Sequence, residues 1–319
     1  MYSYLARRFV QALIVIMINT VLIFTLSRLS ADPMSQYANR PGLTQVDKER
    51  IRANLGLDQP MPVQYFRWIG LVLKGDLGMS LFSKQPVMTL ISQRLPMTLI
   101  LMIVSEIVIV IASLILGVIA AMKQYSFVDN LITSMSFVGF SLPVFFVGLT
   151  LMLVFAVQFK AWGLPYLPTG AGVWDQKNPW EMARHLVLPV ATLAIIQIAG
   201  YSRFLRSSIL EVLGQDYVRT ARAKGLVERA VLYKHVLRNA SLPLVTILGL
   251  DIAAMLGGAV VTETVFTWPG MGRLFWEYAQ RGDFPVVNGV LLLTSTAVVL
   301  LTIVTDVFYT IIDPRIRLS

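Results

Sequence analysis

Six stretches of this chain are apolar for long enough to cross a lipid bilayer, and no other feature limits its fold as tightly. They lie near residues 9–26, 97–122, 132–159, 186–205, 242–261 and 286–307. About 20 consecutive apolar residues in a helix cover the ~30 Å hydrocarbon core. In lipid, only helices and closed barrels satisfy every backbone N–H and C=O. Runs of this length point to an all-α, polytopic membrane protein. Bulk composition agrees: mean hydropathy is +0.68, with 56% hydrophobic and 14% charged residues, against roughly 25% charged in a soluble protein. The chain has no cysteine, which excludes disulfides and thiolate-held metals.

The net charge of +9 does not mark a nucleic-acid surface, because the basic residues cluster beside the spans. Arg7-Arg8 before an apolar run has the outline of a secretory signal. The run is long for that role and lacks a small-x-small cleavage site, so it is read as a retained first span. Six spans put both termini on one side. The connection 202–240 carries eight Lys/Arg against three acids, whereas 263–285 carries two Arg against three acids. The positive-inside rule then places Arg7, Arg8, the 202–240 loop and the tail with Arg315 and Arg317 in the cytoplasm. The expected organisation is a first segment at 1–29, an extracytoplasmic helical loop at 30–96, a five-helix core at 97–310 containing a cytoplasmic loop at 206–240, and a tail at 311–319.

The long first loop carries its own helix signals. Thr44 with Asp47 suits a helix start, Gly56 a stop, and Pro62 a second start. Tyr65, Trp68, Ile69 and Val72 then share one face, either against the membrane interface or, preferably, against other outer loops. A third helix begins near Val87 and runs into the second span. Pro143 and Pro189, near the entries of their spans, either kink the helix or, preferably, fit its first turn. Ala253, Ala254, Gly257, Gly258 and Ala259 give the fifth span a small packing face.

The segment from Asp216 to Gly225 is polar and basic between two spans. Asp216 is expected to cap a short helix starting at Tyr217, and Gly225 to permit a tight exit. Basic residues beside spans commonly serve topology and anionic lipid alone. Topology needs charge but no particular order, and the compact order Arg219-Thr220-Ala221-Arg222-Ala223-Lys224-Gly225 favours a docking surface.

This stretch resembles the cytoplasmic loop signature of bacterial ABC import permeases of the peptide/nickel importer branch. Arg219-Thr220-Ala221, then Gly225, then Leu242-Pro243 occupy the signature's places. The acidic first residue is absent and the glycine-to-proline gap is long, two departures that the branch shares. Tyr4-Leu5-Ala6-Arg7-Arg8, Gly75-Asp76-Leu77-Gly78, Trp268-Pro269-Gly270-Met271-Gly272 and Asp313-Pro314-Arg315 extend the resemblance over nearly the whole chain. It implies a type I importer permease fold of six transmembrane helices with a helical insertion after the first. It also implies a coupling helix, with Tyr217, Arg219, Thr220, Ala221, Arg222, Ala223, Lys224, Gly225 and Leu226 docking onto an ATP-binding subunit. The implied partners are a homologous second permease, two ATP-binding subunits and an extracytoplasmic substrate-binding protein. ATP and magnesium belong to the ATP-binding subunits, and no cofactor to this chain. Peptides are the implied cargo, with nickel complexes, glutathione and oligosaccharides as alternatives within the family.

Glu106 and Asp251 interrupt otherwise apolar spans, and Asp306 lies near the end of the last. Carboxylates in lipid are costly, so Glu106 and Asp251 either line a passage or bond helix to helix. Their use as coupling groups would define an ion-driven transporter, the main reading from another class; a passive membrane anchor is the third. No metal site is expected: His185 and His235 are isolated. The chain contains no phosphate-binding Gly-x-x-x-x-Gly-Lys-Ser/Thr loop, no His-Glu-x-x-His and no Gly-x-Ser-x-Gly. It is therefore read as a subunit without an ATPase or other enzyme of its own.

Overall fold

The structure, a computed structural model, describes residues 2–30, 44–54, 56–170, 175, 178–256 and 259–312. The motif Asp313-Pro314-Arg315, the tail from 313, residues 257–258 and the side chains of Ala253 and Ala254 lie outside the described residues.

The described residues are helical with short connections. Helix α1 is Tyr2–Ser30, α2 Gln45–Asn54, α3 Met61–Val72 and α4 Val87–Met122. Helix α5 is Phe127–Ser141 and α6 begins as Val144–Met152, passing through a π-helical turn to Ala161. Helix α7 is Pro179–Leu213, α8 Asp216–Ala223, and α9 covers 228–240 with a π-helical stretch at Val231–Leu237. Helix α10 is Leu242–Leu256, α11 Val260–Val265, α12 Met271–Gln280 and α13 Phe284–Ile312.

Among the described residues five helices are long and apolar enough to cross a membrane: Ala6–Leu29, Val87–Met122, Val144–Ala161, Pro179–Leu213 and Phe284–Val307. The fifth expected span appears as the 15 residues of α10, which reach the edge of the described segment. Large apolar side chains on these helices face outward, the reverse of a soluble core. On α4, Ile103, Ile107, Ile111 and Ile115 are exposed at four-residue spacing. The opposite stripe, Ser105, Ile109, Ser113 and Gly117, is buried where α4 lies along α7. Small residues on this stripe let the backbones approach. A Cβ on Gly117 would stand 3.0 Å from the Leu205 side chain and 3.1 Å from the Ser202 carbonyl. Helices α5 and α6 also pack on α7, while α1 and α10 pack on α13.

The expected third span is interrupted. Helix α5 ends at Ser141 and α6 starts at Val144, with Leu142 and Pro143 in extended geometry between them. Hydropathy runs through this break unchanged, but Pro143 has no N–H for the ladder and holds the residue before it out of the helical region. Pro189 lies inside α7 and not in its first turn, because Asn178 caps the helix ten residues earlier in the sequence than Leu188 and accepts from Trp180 N–H at 3.0 Å. The start of α2 is as expected: Thr44 and Asp47 bond reciprocally, Thr44 N–H to Asp47 Oδ2 at 3.0 Å and Asp47 N–H to Thr44 Oγ1 at 3.2 Å. The aromatic face of α3 packs on α1, and among the described residues not on another outer loop. Tyr65 and Trp68 each lie with ring centroids 5.6 Å from Phe24, and Tyr65 Oη is 2.9 Å from Thr20 Oγ1.

At the end of the bundle away from the basic loop, Glu263 is fully buried. Its carboxylate accepts from Thr98 Oγ1 at 2.8 Å and from Arg273 N–H at 3.0 Å. Thr98 Oγ1 in turn accepts from Met271 N–H at 2.7 Å, and Trp268 Nε1 donates to the Met97 carbonyl at 2.9 Å. These bonds fix the Trp268–Gly272 turn and the start of α12 against α4. Nearby, buried Asp283 accepts from Ser80 Oγ at 2.6 Å and Phe82 N–H at 2.9 Å, tying the first loop to the α12–α13 turn.

Candidate coupling surface and membrane carboxylates

Helix α8 presents two different faces. Val218 and Ala221, three residues apart on one side, are 0% and 4% exposed. They join a core with Leu205 and Ile209 of α7, Val231 and Val236 of α9, and Leu244 of α10. Burying Val218 alone contributes about 1.5–3 kcal/mol. Tyr217, Arg219, Thr220, Arg222, Ala223, Lys224, Gly225 and Leu226 are exposed. Of the nine residues singled out in the sequence, Ala221 alone faces the chain's own core, so its small size fits packing against α7 and α9. Asp216 is the first residue of α8 and not its cap; the capping position is Gln215, which makes no side-chain cap bond.

The exit from α8 is stiff. Gly225 has φ +78°, a left-handed conformation that costs a glycine little. Its N–H bonds the Arg222 carbonyl at 2.9 Å. Arg222 then reaches across to Glu228, with Nε 3.2 Å from each carboxylate oxygen. This guanidinium holds the Glu228 carboxyl below the usual carboxylate range. Arg219 lies 3.5 Å from Asp216 at the open rim.

One contact joins this end of α7 to the rest of the bundle, and the sequence reading gave it no role. Arg206 binds Asp129 in a two-point fork, Nε to Oδ1 and Nη2 to Oδ2, both at 2.7 Å. Asp129 is 2% exposed and also accepts from the N–H of Tyr125, whose φ is +61°. The guanidinium holds the Asp129 carboxyl below its ordinary value. The α4–α5 turn is therefore fastened to α7 just before α8. A sequence signal existed in Ser126, whose hydroxyl accepts from Asp129 N–H at 3.3 Å as an N-cap.

The membrane carboxylates separate in role. Asp251 of α10 accepts from Tyr201 Oη of α7, a bond from helix to helix. Glu106 of α4 is 9% exposed, and neither carboxylate oxygen has a hydrogen-bond partner. Asp306 pairs with Arg8 at 3.2 Å, joining the ends of α13 and α1. Among the described residues no group of three or more His, Cys, Asp or Glu can hold a metal.

Residues 113–318 match the family model described as binding-protein-dependent transport system inner membrane component, and residues 1–102 match the model of that system's N-terminal membrane component. The chain belongs to this family. As a binding-protein-dependent permease of the ABC peptide/nickel importer group it is a non-catalytic transport subunit. It is 41% identical over 321 residues to the oligopeptide transport system permease protein AppB of Bacillus subtilis, covering 99% of this chain and 100% of that one. It is 36% identical to the dipeptide transport system permease protein DppB of Escherichia coli K12, with 91% of each covered. It is 39% identical to the glutathione transport system permease protein GsiC of Salmonella paratyphi A, with 99% of each covered. A chain from the crystal structure of an amino acid ABC transporter with histidines superposes with a TM-score of 0.50 at 16% identity, covering 71% of this permease and 94% of that chain. That likeness concerns the fold alone.

Proposed function

We propose that this permease is one half of an ATP-driven peptide import pathway in a bacterial cytoplasmic membrane, and that α8 is where an ATP-binding subunit acts on it. The observation that carries the reading is the division of α8: an exposed, basic outer face on a helix whose inner face is rooted between α7, α9 and α10. A displacement applied to the outer face passes into packed helices, because close-packed side chains leave little slack to absorb it. Peptide cargo is supported by relatives named for oligopeptide, dipeptide and glutathione transport. The assembly is a second, homologous permease, two ATP-binding subunits that carry ATP and magnesium, and an extracytoplasmic substrate-binding protein. In this reading six spans put both termini on one side, and the basic residues of 202–240 make that side, with α8 and the 311–319 tail, the cytoplasm, leaving 30–96 outside.

In the reconstituted complex, Tyr217→Ala combined with Leu226→Asp is expected to lower ATP-dependent uptake of tri-alanine by roughly tenfold, the loss of about 1.4 kcal/mol of coupling contact. Gly225→Val is expected to act in the same direction by straining the exit from α8. Binding of tri-alanine to the substrate-binding protein stays unchanged in both. Normal uptake by both variants at normal assembly levels would remove α8 from the coupling role.

The orientation has its own test. The natural chain lacks cysteine, so single cysteines at Lys224 and Phe82 give clean labelling with an impermeant maleimide. Phe82→Cys should label from outside intact cells and Lys224→Cys only after the membrane is opened. The reverse pattern inverts the topology.

A further inference from the structure

The unpaired Glu106 has a consequence for what this permease binds. Midway along α4, its carboxylate is nine-tenths buried with both oxygens unpartnered. It lies within electrostatic reach of Asp251 on α10 and Tyr201 on α7. A further buried acceptor lacks a partner: Gln197 Oε1, one turn before Tyr201 on the same side of α7. Asp251 is only half-buried, so the cluster reaches the surface there.

Two carboxylates within electrostatic reach of each other repel in a low-dielectric interior, and a buried acceptor without a donor is costly. Among the described residues neither acid takes part in a salt bridge. The nearest basic residues of α7 are committed elsewhere. Arg203 stacks over the Phe137 ring at 4.5 Å, and Arg206 is held by Asp129. The acceptors are all oxygens, and the acid pair falls short of the three or more ligating side chains that a resident metal site would show. An alkylammonium group brings one positive charge and three donors, which matches an acceptor-rich, anionic cluster.

We propose that Glu106 and Asp251, with Gln197, form a binding site inside the membrane for the protonated amino terminus of the cargo. The identity of the cargo rests on the peptide-import reading. The site's own chemistry, a preference for a primary ammonium group, does not. Tyr201 is a positioning residue here, holding Asp251 through its hydroxyl.

The test uses the whole complex in lipid nanodiscs. Dicyclohexylcarbodiimide, which modifies buried carboxyl groups, is followed at Glu106 by mass spectrometry. Millimolar tri-alanine is expected to slow the labelling about tenfold, as nine-tenths occupancy requires. N-acetyl-tri-alanine should leave the rate unchanged, as should the same concentration of sodium chloride. Protection by tri-alanine should weaken in Asp251→Asn, whose Glu106 remains available to the reagent. Tyr201→Phe, a milder change, should weaken it in the same direction. Equal protection by the free and acetylated peptides would overturn the proposal. So would protection by sodium chloride alone, which would indicate a metal-ion site. A Glu106 that is unreactive with or without peptide would indicate a basic side chain from the second permease subunit, and would overturn it too. ATP-dependent uptake of tri-alanine, measured in parallel with the substrate-binding protein present, judges the peptide-import reading separately. Protection by the free but not the acetylated peptide, without uptake, would leave the ammonium site standing and the peptide-import reading refuted.

Discussion

Replacing Arg206 by alanine is expected to cost about 3–5 kcal/mol of stability, because it leaves Asp129 buried with no counter-charge. The aspartate is 2% exposed and loses both bonds of the 2.7 Å fork at once. Its remaining backbone bond, from Tyr125 N–H at 2.9 Å, does not neutralise it. Arg206→Lys should recover only part of the loss, since an ammonium cannot reproduce the planar two-point geometry. Removing both partners, as in Arg206→Met with Asp129→Leu, should be far less harmful than either single change. The midpoint of thermal unfolding of the purified complex checks this order. Glu228→Ala, which breaks the solvent-exposed pair with Arg222, serves as the comparison and should leave the midpoint nearly unchanged. The Asp129 carboxyl titrates lower in the fold than in the unfolded chain. Its contribution is therefore complete above the ordinary value of about 3.9 and lost as pH falls through the depressed one. A single Arg206→Ala variant as stable as the natural protein would mean that the fork contributes nothing.

The second large effect is expected at Glu263. Alanine there removes a fully buried carboxylate and strands the Thr98 hydroxyl and the Arg273 N–H. Orphaned buried donors cost about 1–3 kcal/mol each, and the vacated volume adds to that. A total of roughly 3–6 kcal/mol is comparable with the whole stability of many domains. The predicted outcome is loss of assembled complex from the membrane, measured by co-purification of the ATP-binding subunits. Glu263→Gln, which keeps one acceptor oxygen, should retain a detectable fraction. Thr98→Val should be intermediate, since it also removes the acceptor for Met271 N–H. Full assembly of Glu263→Ala would show that the Trp268–Gly272 turn holds its place without this carboxylate.

Both of these networks escaped the sequence reading for the same reason. Arg206 and Asp129 are 77 positions apart, and Thr98 and Glu263 are 165 apart. Periodicity and turn chemistry report on neighbours within a few residues, and pairing at such distances leaves no local trace. What was legible was local or carried by hydrophobic length. The apolar runs located the long helices, Val87 was read as the start of the helix that continues into the second span, and the Thr44–Asp47 pair marked the start of α2. Pro143 marked either a kink or a first turn, and hydropathy, blind to a missing N–H, did not decide for a full break. Asp216 was misplaced by one residue, since Gln215 and Asp216 are both polar and only backbone geometry separates them. The order of residues in α8 singled out the segment but not which of its side chains turn inward. That became clear only when Val218 and Ala221 met Ile209 and Val236.

Helix α7 runs without interruption from Pro179 to Leu213, and α8 begins three residues after it ends. Pro189 is the one residue of its interior that cannot donate to the helical ladder. Between that proline and the end of α7 lies about 36 Å of helix, at 1.5 Å per residue. Such a rod would act as a lever about a pivot at Pro189. A swing of about 5° over that length moves the α8 end by ~3 Å. Through the Asp129–Arg206 fork, the α4–α5 turn must travel with it. Mechanical advantage of this kind needs no large rearrangement at either end. In the coupling proposed above, a small closure between ATP-binding subunits would become a small, directed tilt of the helix that packs on α4, α5 and α6.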